Sequence, residues 1–235
     1  MSTQTRKVIL GTPCLDGRPE AWYMNSVLQT VKLCAQQNIE IVPILMSYDA
    51  MIQRARNDLL KLALDAQVSD LLFIDDDEEW DPRWALALLG HNVDVVGAAV
   101  RKKSDDAELY NVMAPSPFIE EDRATGLWVV DGIGTGFLRL SRKALQALWG
   151  GAAALEYEED GRVNRMVFNV AVVNRRLVSE DNFMCDSLRS AGFKIHVDPR
   201  FTITHIGMKK FAGSFQRYVA ALQRETSRAL ASGAQ

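Results

Sequence analysis

Residues 71–80 join a short apolar run to an acidic cluster, and this junction restricts the possible folds more than any other part of the chain. Leu71 to Ile74 has the length and character of a strand that is buried on both faces of a sheet. Asp75 to Glu79 follows at once, where open α/β sheets bind their ligands, beyond the carboxyl ends of the strands. The segment predicts a central strand with a candidate site at its end.

The acidic cluster has two interpretations. A row of carboxylates is repulsive unless it is solvated or neutralised by a cation. In extended backbone, Asp75 and Asp77 would project to one side and Asp76 to the other, which would place two hard oxygen ligands together. Such a pair suits Mg²⁺ or Mn²⁺ carrying a phosphorylated substrate. The alternative is a solvated acidic turn, helped by Asp81 and Pro82 at the start of the next helix.

Strand-like and helix-like segments alternate over the first hundred residues. The pattern predicts strands at 7–10, 39–45, 71–74 and 93–100, and helices at 20–37, 49–65 and 82–89. Such alternation is typical of an α/β fold with a mostly parallel sheet flanked by helices and right-handed crossovers.

The second half of the chain reads differently. We expect an irregular polar loop at 101–117, hairpins at 118–131 and 156–173 with the second turning at Asp160-Gly161, helices from Ser141 and Ser179, strands at 193–197 and 201–207 separated by a turn at Asp198-Pro199, and an amphipathic helix after Gly213. We interpret residues 1–235 as one domain, with a first half at 1–103, a second half at 104–207 and a C-terminal helical tail at 208–235.

Composition limits the setting of the protein. The formal net charge of −3 gives no global attraction to nucleic acid, and no apolar run reaches the roughly 18 residues of a membrane helix. The N-terminus lacks a signal-peptide pattern. Cys14, Cys34 and Cys185 have neither disulfide-framework nor zinc-site spacing. We expect a cytoplasmic protein without a transmembrane segment, and the oligomeric state is left open.

Four motifs, in this chain order, resemble those of the GT-A glycosyltransferases, which are nucleotide-sugar-dependent enzymes with a Rossmann-like domain. They are the DxD motif Asp75-Asp76-Asp77, the glycine-bearing segment Gly134-Thr135-Gly136-Phe137, the xED helix start Ser179-Glu180-Asp181, and the C-terminal histidine in His205-Ile206-Gly207. Ala55-Arg56-Asn57 makes the chain similar to family-2-like members, including compact forms of bacteria and their bacteriophages.

The resemblance implies roles for the acidic residues and the histidine. Asp181 would be the general base that takes the proton of an acceptor hydroxyl, with inversion at the anomeric carbon, and Glu180 would orient neighbouring groups. Asp77, His205 and Asp75 would hold the metal, Mn²⁺ being slightly favoured over Mg²⁺ because one ligand is an imidazole. Asp75 could instead hold the ribose. The alternatives are a carboxylate that stabilises the helix dipole and a histidine that is hydrogen-bonded at a strand end.

The resemblance implies that 1–103 is the nucleotide-binding half and 104–207 the acceptor-binding half. The donor would be a nucleotide sugar, and a UDP-sugar is the first expectation. Thr12, Pro13 and Cys14 follow the first strand, where the resemblance places the base. Residues of the following elements complete the expected donor site, namely Arg54, Asn57, Asp75 and Asp76. Arg54 offers a planar donor for a base or phosphate, whereas its neighbours Arg56 and Asp58 read as solvated helix positions.

The acceptor side is expected at Gly134, Thr135, Gly136 and Trp128. Glycine permits close approach of the backbone to a substrate, and an exposed aromatic ring can stack on a sugar or a base. A β-bulge and plain packing are the alternatives. The acceptor would be a glycan or, for a phage protein, a hydroxymethylated DNA base. The basic run at 101–103 could meet the donor diphosphate or a phosphate-bearing acceptor, or be a solvated loop.

Three other classes compete with the glycosyltransferase interpretation. A sugar-nucleotide nucleotidyltransferase would have a glycine-rich basic loop after its first strand, which residues 11–18 lack. A haloacid-dehalogenase phosphatase would have its DxD motif on the first strand rather than the third. A non-catalytic nucleotide- or sugar-binding module would need neither Asp181 nor His205.

Overall fold

The computed structural model describes residues 5–105, 107–114, 119–159 and 161–231. The strands, in chain order, are β1 (Arg6–Cys14), β2 (Ile39–Ser47), β3 (Asp70–Ile74), β4 (Glu78–Glu79), β5 (Val95–Val100), β6 (Val112–Met113), β7 (Glu120–Asp122), β8 (Leu127–Val130), β9 (Gly132–Ile133), β10 (Phe137–Ser141), β11 (Glu156–Glu159), β12 (Arg162–Arg165), β13 (Ala171–Val173), β14 (Arg176–Val178), β15 (Ile195–Ile206) and β16 (Lys210–Phe211). The α-helices are α1 (Ala21–Ala35), α2 (Ile52–Asp65), α3 (Pro82–Gly90), α4 (Arg142–Gly151), α5 (Glu180–Ser190) and α6 (Phe215–Ala231).

The central sheet is mixed but mostly parallel. Its strand order is β2-β1-β3-β10-β5-β15-β8-β7. Strands β2, β1 and β3 are parallel, as are β5 and β15, and β10 runs antiparallel between the two groups. Both groups therefore point the same way, and their carboxyl ends lie at one edge. This confirms the expected fold class, an α/β Rossmann-like sheet flanked by helices.

Two apolar layers cover the two faces of the sheet. All five residues of β3 are buried, and successive side chains alternate between the layers. Leu71 and Phe73 pack in the layer that contains α2, α4 and α5. Leu72 and Ile74 pack in the layer that contains α1 and α3. This packing on both faces explains the unbroken apolar run before Asp75, and it fixes the point at which the acidic segment leaves the sheet.

Three helices begin directly after a residue whose side chain caps them. Asp81, Ser141 and Ser179 each cap a helix by accepting a hydrogen bond from a backbone N–H of its first turn. The capping residue Ser179 places Glu180 and Asp181 in the first turn of α5, where the helix dipole favours carboxylates.

Two strands continue through positions predicted as loop or turn. β1 runs to Cys14, and Pro13 lies beyond Gly11, the last β1 residue that pairs with β3, so its missing N–H is not needed on that side. β15 runs through Asp198 and Pro199 because the register shifts there, as at a β-bulge.

One hairpin of the second half was missed, and several predicted positions, among them 106 and 115–117 of the predicted loop, lie outside the described residues. β13 and β14 pair around Asn174 and Arg175, both in the left-handed region with φ of 50° and 64°. An arginine is unusual in that conformation, so the turn has a weak signature. Phe118 and Asp160, which were assigned to the other hairpins, lie outside the described residues.

The C-terminal helix α6 packs back on the sheet. Phe215 and Val219 of α6 are buried, and Phe215 contacts the rings of Tyr110 and Trp128. Among the described residues, no helix is sufficiently long and apolar to cross a membrane.

Candidate functional site

Backbone hydrogen bonds hold the acidic segment between two strands. The N–H of Asp75 donates to the carbonyl of Gly136 at 3.1 Å, just before β10. The carbonyl of Asp77 accepts from the N–H of Ile206 at 2.7 Å, at the end of β15. Strand β4 then pairs with β15, with Glu78 opposite His205. Three of the four recognised motifs therefore meet at one edge of the sheet.

Arg56 joins the acidic segment to the start of α5. It lies on α2 with 3% of its surface exposed. Its Nη1 donates to Glu180 Oε1 and to Asp181 Oδ1, both at 2.9 Å, and its Nη2 donates to Asp75 Oδ1 at 3.2 Å. Burial alone would lower the pKa of Arg56, but the three carboxylates raise it on balance. The expectation of a solvated Arg56 was wrong, because this side chain is the hub of the site.

Asp181 keeps one carboxylate oxygen available. Its Oδ1 accepts hydrogen bonds from Arg56 and from the hydroxyl of Thr135, the latter at 2.8 Å. Both bonds of Asp181 among the described residues fall on this oxygen, which leaves Oδ2 for another partner. Burial raises the pKa of Asp181, against the opposing charge of Arg56. A fixed, partly exposed carboxylate with a raised pKa suits a general base.

Asp77 faces two nitrogen groups. His205 Nε2 lies 3.2 Å from Asp77 Oδ1, and Lys103 Nζ lies 2.5 Å from Asp77 Oδ2. Burial would raise the pKa of Asp77, but the hydrogen bonds from His205 and Lys103 lower it on balance. His205 Nδ1 lies 3.0 Å from the carbonyl of Arg101, which can only accept, so this nitrogen carries a proton.

The orientation of His205 fits a metal ligand. Metal-binding histidines usually donate the other ring N–H to a carbonyl or carboxylate, which fixes the ring and frees the second nitrogen for the metal. His205 has this arrangement, and its second nitrogen, Nε2, faces a carboxylate oxygen of Asp77, where a bound metal would replace the hydrogen bond between them. Asp77 and His205 therefore fit Mn²⁺ or Mg²⁺, and their role as metal ligands stays a prediction. Asp75 turns to Arg56 instead, and these three residues do not bring three ligand atoms within 4.8 Å of one another.

Asp76 belongs to a different group. Within the described part of the chain, the only trio of possible ligand atoms closer than 4.8 Å comes from Cys14, Asp16 and Asp76. Burial, followed by the hydrogen bond to Asp76, raises the pKa of Cys14 to about 12, so this thiol is protonated. Sulfur is a soft ligand, whereas Mg²⁺ and Mn²⁺ prefer oxygen ligands. The predicted donor-site residues Cys14 and Asp76 are thus adjacent, whereas Asp77 is the better metal ligand.

Glu78 is a buried carboxyl group beneath the site, and sequence reasoning gave it no role. Its side chain is 1% exposed, and Oε2 has no hydrogen-bond partner among the described residues. Burial raises its pKa well above the usual value, and the charges of Asp75 and Asp77 add to this effect. Its Oε1 lies against the backbone of Gly136, where a Cβ atom would overlap with it.

We expect Gly136→Ala to destabilise the protein by about 1–3 kcal/mol, because the new methyl group would displace a fully buried carboxyl group. Gly150→Ala is the matched control, since a Cβ there meets no atom within 4 Å and lies in helix α4. The control should be neutral or stabilising by about 0.5–1 kcal/mol. Urea unfolding of both variants measures the difference; equal free energies of unfolding would show that Gly136 is not required by close packing.

Several predicted donor residues have side chains directed elsewhere. Thr12 is fully buried, with its hydroxyl bonded to that of Tyr23. Asn57 is fully buried, and its side-chain amide forms hydrogen bonds with the backbone N–H and C=O of Phe168. These contacts give Thr12 and Asn57 structural roles. Pro13 is partly exposed beside Cys14 on β1 and is available to a ligand at this edge.

Arg54 lies beside a separate groove. It forms ion pairs with Asp49 and with Glu159 of β11. The groove measures about 1010 Å³ between α2 and the β11–β12 hairpin, and Arg54 and Tyr157 are among its lining residues, whereas the carboxylates of the motifs are not. A role of Arg54 in donor binding stays a prediction.

The predicted acceptor residues do not all lie at one site. Thr135 contacts Asp181, and Gly136 lies over Glu78. Gly134 forms a backbone hydrogen bond with Asn111, against whose side chain it packs. Trp128 packs against Phe215 of α6. The acceptor role of Trp128 stays a prediction that this packing does not favour.

Comparisons with known proteins support the fold alone. No family model matches the chain, and no curated protein matches it. Among solved structures, "A197 from STIV" matches with a TM-score of 0.50, 16% identity and 86% of each chain covered.

Two weaker structural likenesses are to enzymes. A putative glucose-1-phosphate thymidylyltransferase from Bacillus anthracis has a TM-score of 0.40 and 8% identity, with 92% of this chain and 94% of that one covered. A mannose-1-phosphate geranyltransferase from Thermus thermophilus has a TM-score of 0.31 and 13% identity, with 64% and 66% covered. Structural similarities with TM-scores and identities this low carry no information about activity, which has to be inferred from the site itself.

Proposed function

We propose that the protein is a metal-dependent glycosyltransferase that moves a sugar from a nucleotide-sugar donor to an acceptor hydroxyl. The observation that carries this proposal is the contact of one buried guanidinium with Asp75, Glu180 and Asp181. A donor motif and a candidate general base, separated by more than 100 residues in the sequence, are thereby held in one cluster. A nucleotide- or sugar-binding module has no need of the second.

The donor would bind at the carboxyl edge of the sheet. Pro13, which is partly exposed at this edge, would meet the base, which we propose to be uracil, with the buried Cys14 behind it, and Asp75 or Asp76 would meet the ribose. Asp77 and His205 would hold Mn²⁺ or Mg²⁺, which supplies charge neutralisation for the diphosphate leaving group. This division of roles follows the directions of the side chains, since Asp77 faces His205 whereas Asp75 faces Arg56.

The acceptor would lie over Asp181. Its hydroxyl proton would pass to Asp181 Oδ2, because Oδ1 is occupied by Arg56 and Thr135. Arg56 and Thr135 hold the carboxylate in place while it accepts the proton. Attack by a base-activated hydroxyl on the face opposite the diphosphate inverts the anomeric configuration. A glycan hydroxyl and the hydroxyl of a hydroxymethylated DNA base both satisfy this chemistry.

A thermal-shift panel of nucleotides and nucleotide sugars, each with Mn²⁺ and with EDTA, tests the proposal. We expect a UDP-sugar with Mn²⁺ to stabilise the protein by about 2.7 kcal/mol at a hundredfold excess over Kd, and EDTA to remove the effect. Asp77→Asn should abolish the Mn²⁺ dependence. Asp65→Asn, an exposed carboxylate paired with Lys61 on α2, is the control and should behave as the wild type.

The product of turnover separates the proposal from its alternative. A glycosyltransferase releases a nucleoside diphosphate, whereas a nucleotidyltransferase moves a nucleotidyl group between pyrophosphate and a sugar phosphate. Pyrophosphate-dependent turnover would therefore replace the proposed activity with the alternative. If none of the nucleotides stabilises the protein, the proposed donor site is wrong.

A further inference from the structure

Lys103 occupies the position from which a cation would neutralise Asp77. Its Nζ lies 2.5 Å from Asp77 Oδ2, on the carboxylate oxygen that His205 does not face. The carboxylate therefore already has a positively charged partner. A divalent ion that used this oxygen would have to displace the ammonium group.

The segment around Lys103 is built to direct this side chain. The guanidinium of Arg101 donates hydrogen bonds to the carbonyls of Lys102, Ser104 and Ala107, which shapes the loop. The carbonyl of Arg101 also accepts from His205, so the same residue fixes the histidine and the base of the loop.

Gly207 completes the seat of the lysine. A Cβ atom at this position would lie 3.3 Å from Cδ and 3.5 Å from Cε of Lys103, so the stem of the lysine runs directly over the glycine backbone. The side chain keeps 36% of its surface exposed, which leaves it room to move away. These contacts connect Lys103 to the His205-Ile206-Gly207 motif.

We propose that Lys103 and a divalent cation are alternative partners of Asp77, and that cation binding releases the Lys103 ammonium toward the diphosphate of the donor. This inference rests on the proposed function, because it takes the Asp77 site as the metal site. The released ammonium group would stay close to Asp77, because the backbone of Lys103 does not move. It would then add a second positive charge to the leaving group, and without metal it would keep the carboxylate neutralised.

Amine acetylation followed by mass spectrometry tests the exchange. Brief treatment of the full chain with an acetyl succinimidyl ester, with and without Mn²⁺, labels lysines according to how free their amines are. We expect Mn²⁺ to increase labelling of Lys103 by about 1.5-fold to fivefold, the range that corresponds to losing one partly exposed ion pair. Lys61 is the matched internal control, with 31% exposure and an ion pair to Asp65, and its labelling should not change.

Two variants keep the outcomes distinct. In Asp77→Asn, Lys103 should be labelled rapidly without metal and should not respond to Mn²⁺. In Lys103→Met, calorimetric titration with Mn²⁺ alone should show tighter binding than in the wild type. Unchanged Lys103 labelling while Mn²⁺ binds in an Asp77-dependent way would overturn the exchange and leave the metal site standing. Mn²⁺ binding that is independent of Asp77 would overturn both the exchange and the metal assignment.

Discussion

Replacing Arg56 by methionine is expected to lower turnover at least about 10²-fold and to destabilise the protein by about 3 kcal/mol. The substitution removes the guanidinium but leaves Asp75, Glu180 and Asp181 facing one another. Removing one partner of a buried ion pair usually costs about 3–5 kcal/mol because the remaining charges lack compensation. The lower end applies because the three carboxylates keep 18–30% of their side-chain surface exposed.

Lys61→Met provides a matched control on the same helix. Lys61 also pairs with a carboxylate, Asp65, but its side chain is 31% exposed and it lies outside the cluster. The control should change the free energy of unfolding by about 1 kcal/mol or less. Urea unfolding and initial rates of nucleoside-diphosphate release measure both effects. Equal behaviour of the two variants would show that the Arg56 cluster is not the centre of the site.

Asp181→Asn is expected to lower turnover by about 10²–10⁴-fold while donor binding is retained. The amide has nearly the shape of the carboxylate, so the hydrogen bond with Thr135 can persist, but it cannot accept the acceptor proton. Because Asp77 and His205 are untouched, the Mn²⁺-dependent stabilisation by the donor should persist. The combination of lost turnover and retained binding is the signature of a general base.

Asp186→Asn is the control for this second effect. Asp186 lies on the same helix, is 52% exposed and pairs with Arg189. It should turn over at the wild-type rate. A wild-type rate for Asp181→Asn would exclude Asp181 as the base, and a loss of donor binding in that variant would instead assign it to the donor site.

The parts of the fold that the sequence predicts are those that local patterns determine. The apolar run from Leu71 to Ile74 predicts a strand correctly because both sides of β3 are buried. Ser179 predicts the start of α5 because N-caps have a local chemical signature. The lengths of β1 and β15 are harder to predict from sequence, because Pro13 and Pro199 are tolerated in these strands only through the pairing of neighbouring strands.

The site residues also divide into those that sequence motifs predict and those whose roles depend on tertiary contacts. Asp77 and His205 could be paired from motif order, and the structure places them together. Arg56 could not be recognised as the hub, because its partners Glu180 and Asp181 are more than 100 residues away and a charged helix position is usually solvated. Sequence alone could not distinguish Glu78 within the acidic run, since only tertiary packing separates a fully buried carboxylate from its partly exposed neighbours.

The central claim is that a divalent cation and a nucleoside diphosphate share the edge of the sheet beyond β3. The most direct measurement is an anomalous-difference map, recorded near the manganese absorption edge, from crystals grown with UDP and Mn²⁺. The account predicts one peak within coordination distance of Asp77 and His205 Nε2, with the diphosphate beside it. A peak among Cys14, Asp16 and Asp76, or no ordered manganese beside bound UDP, would contradict it.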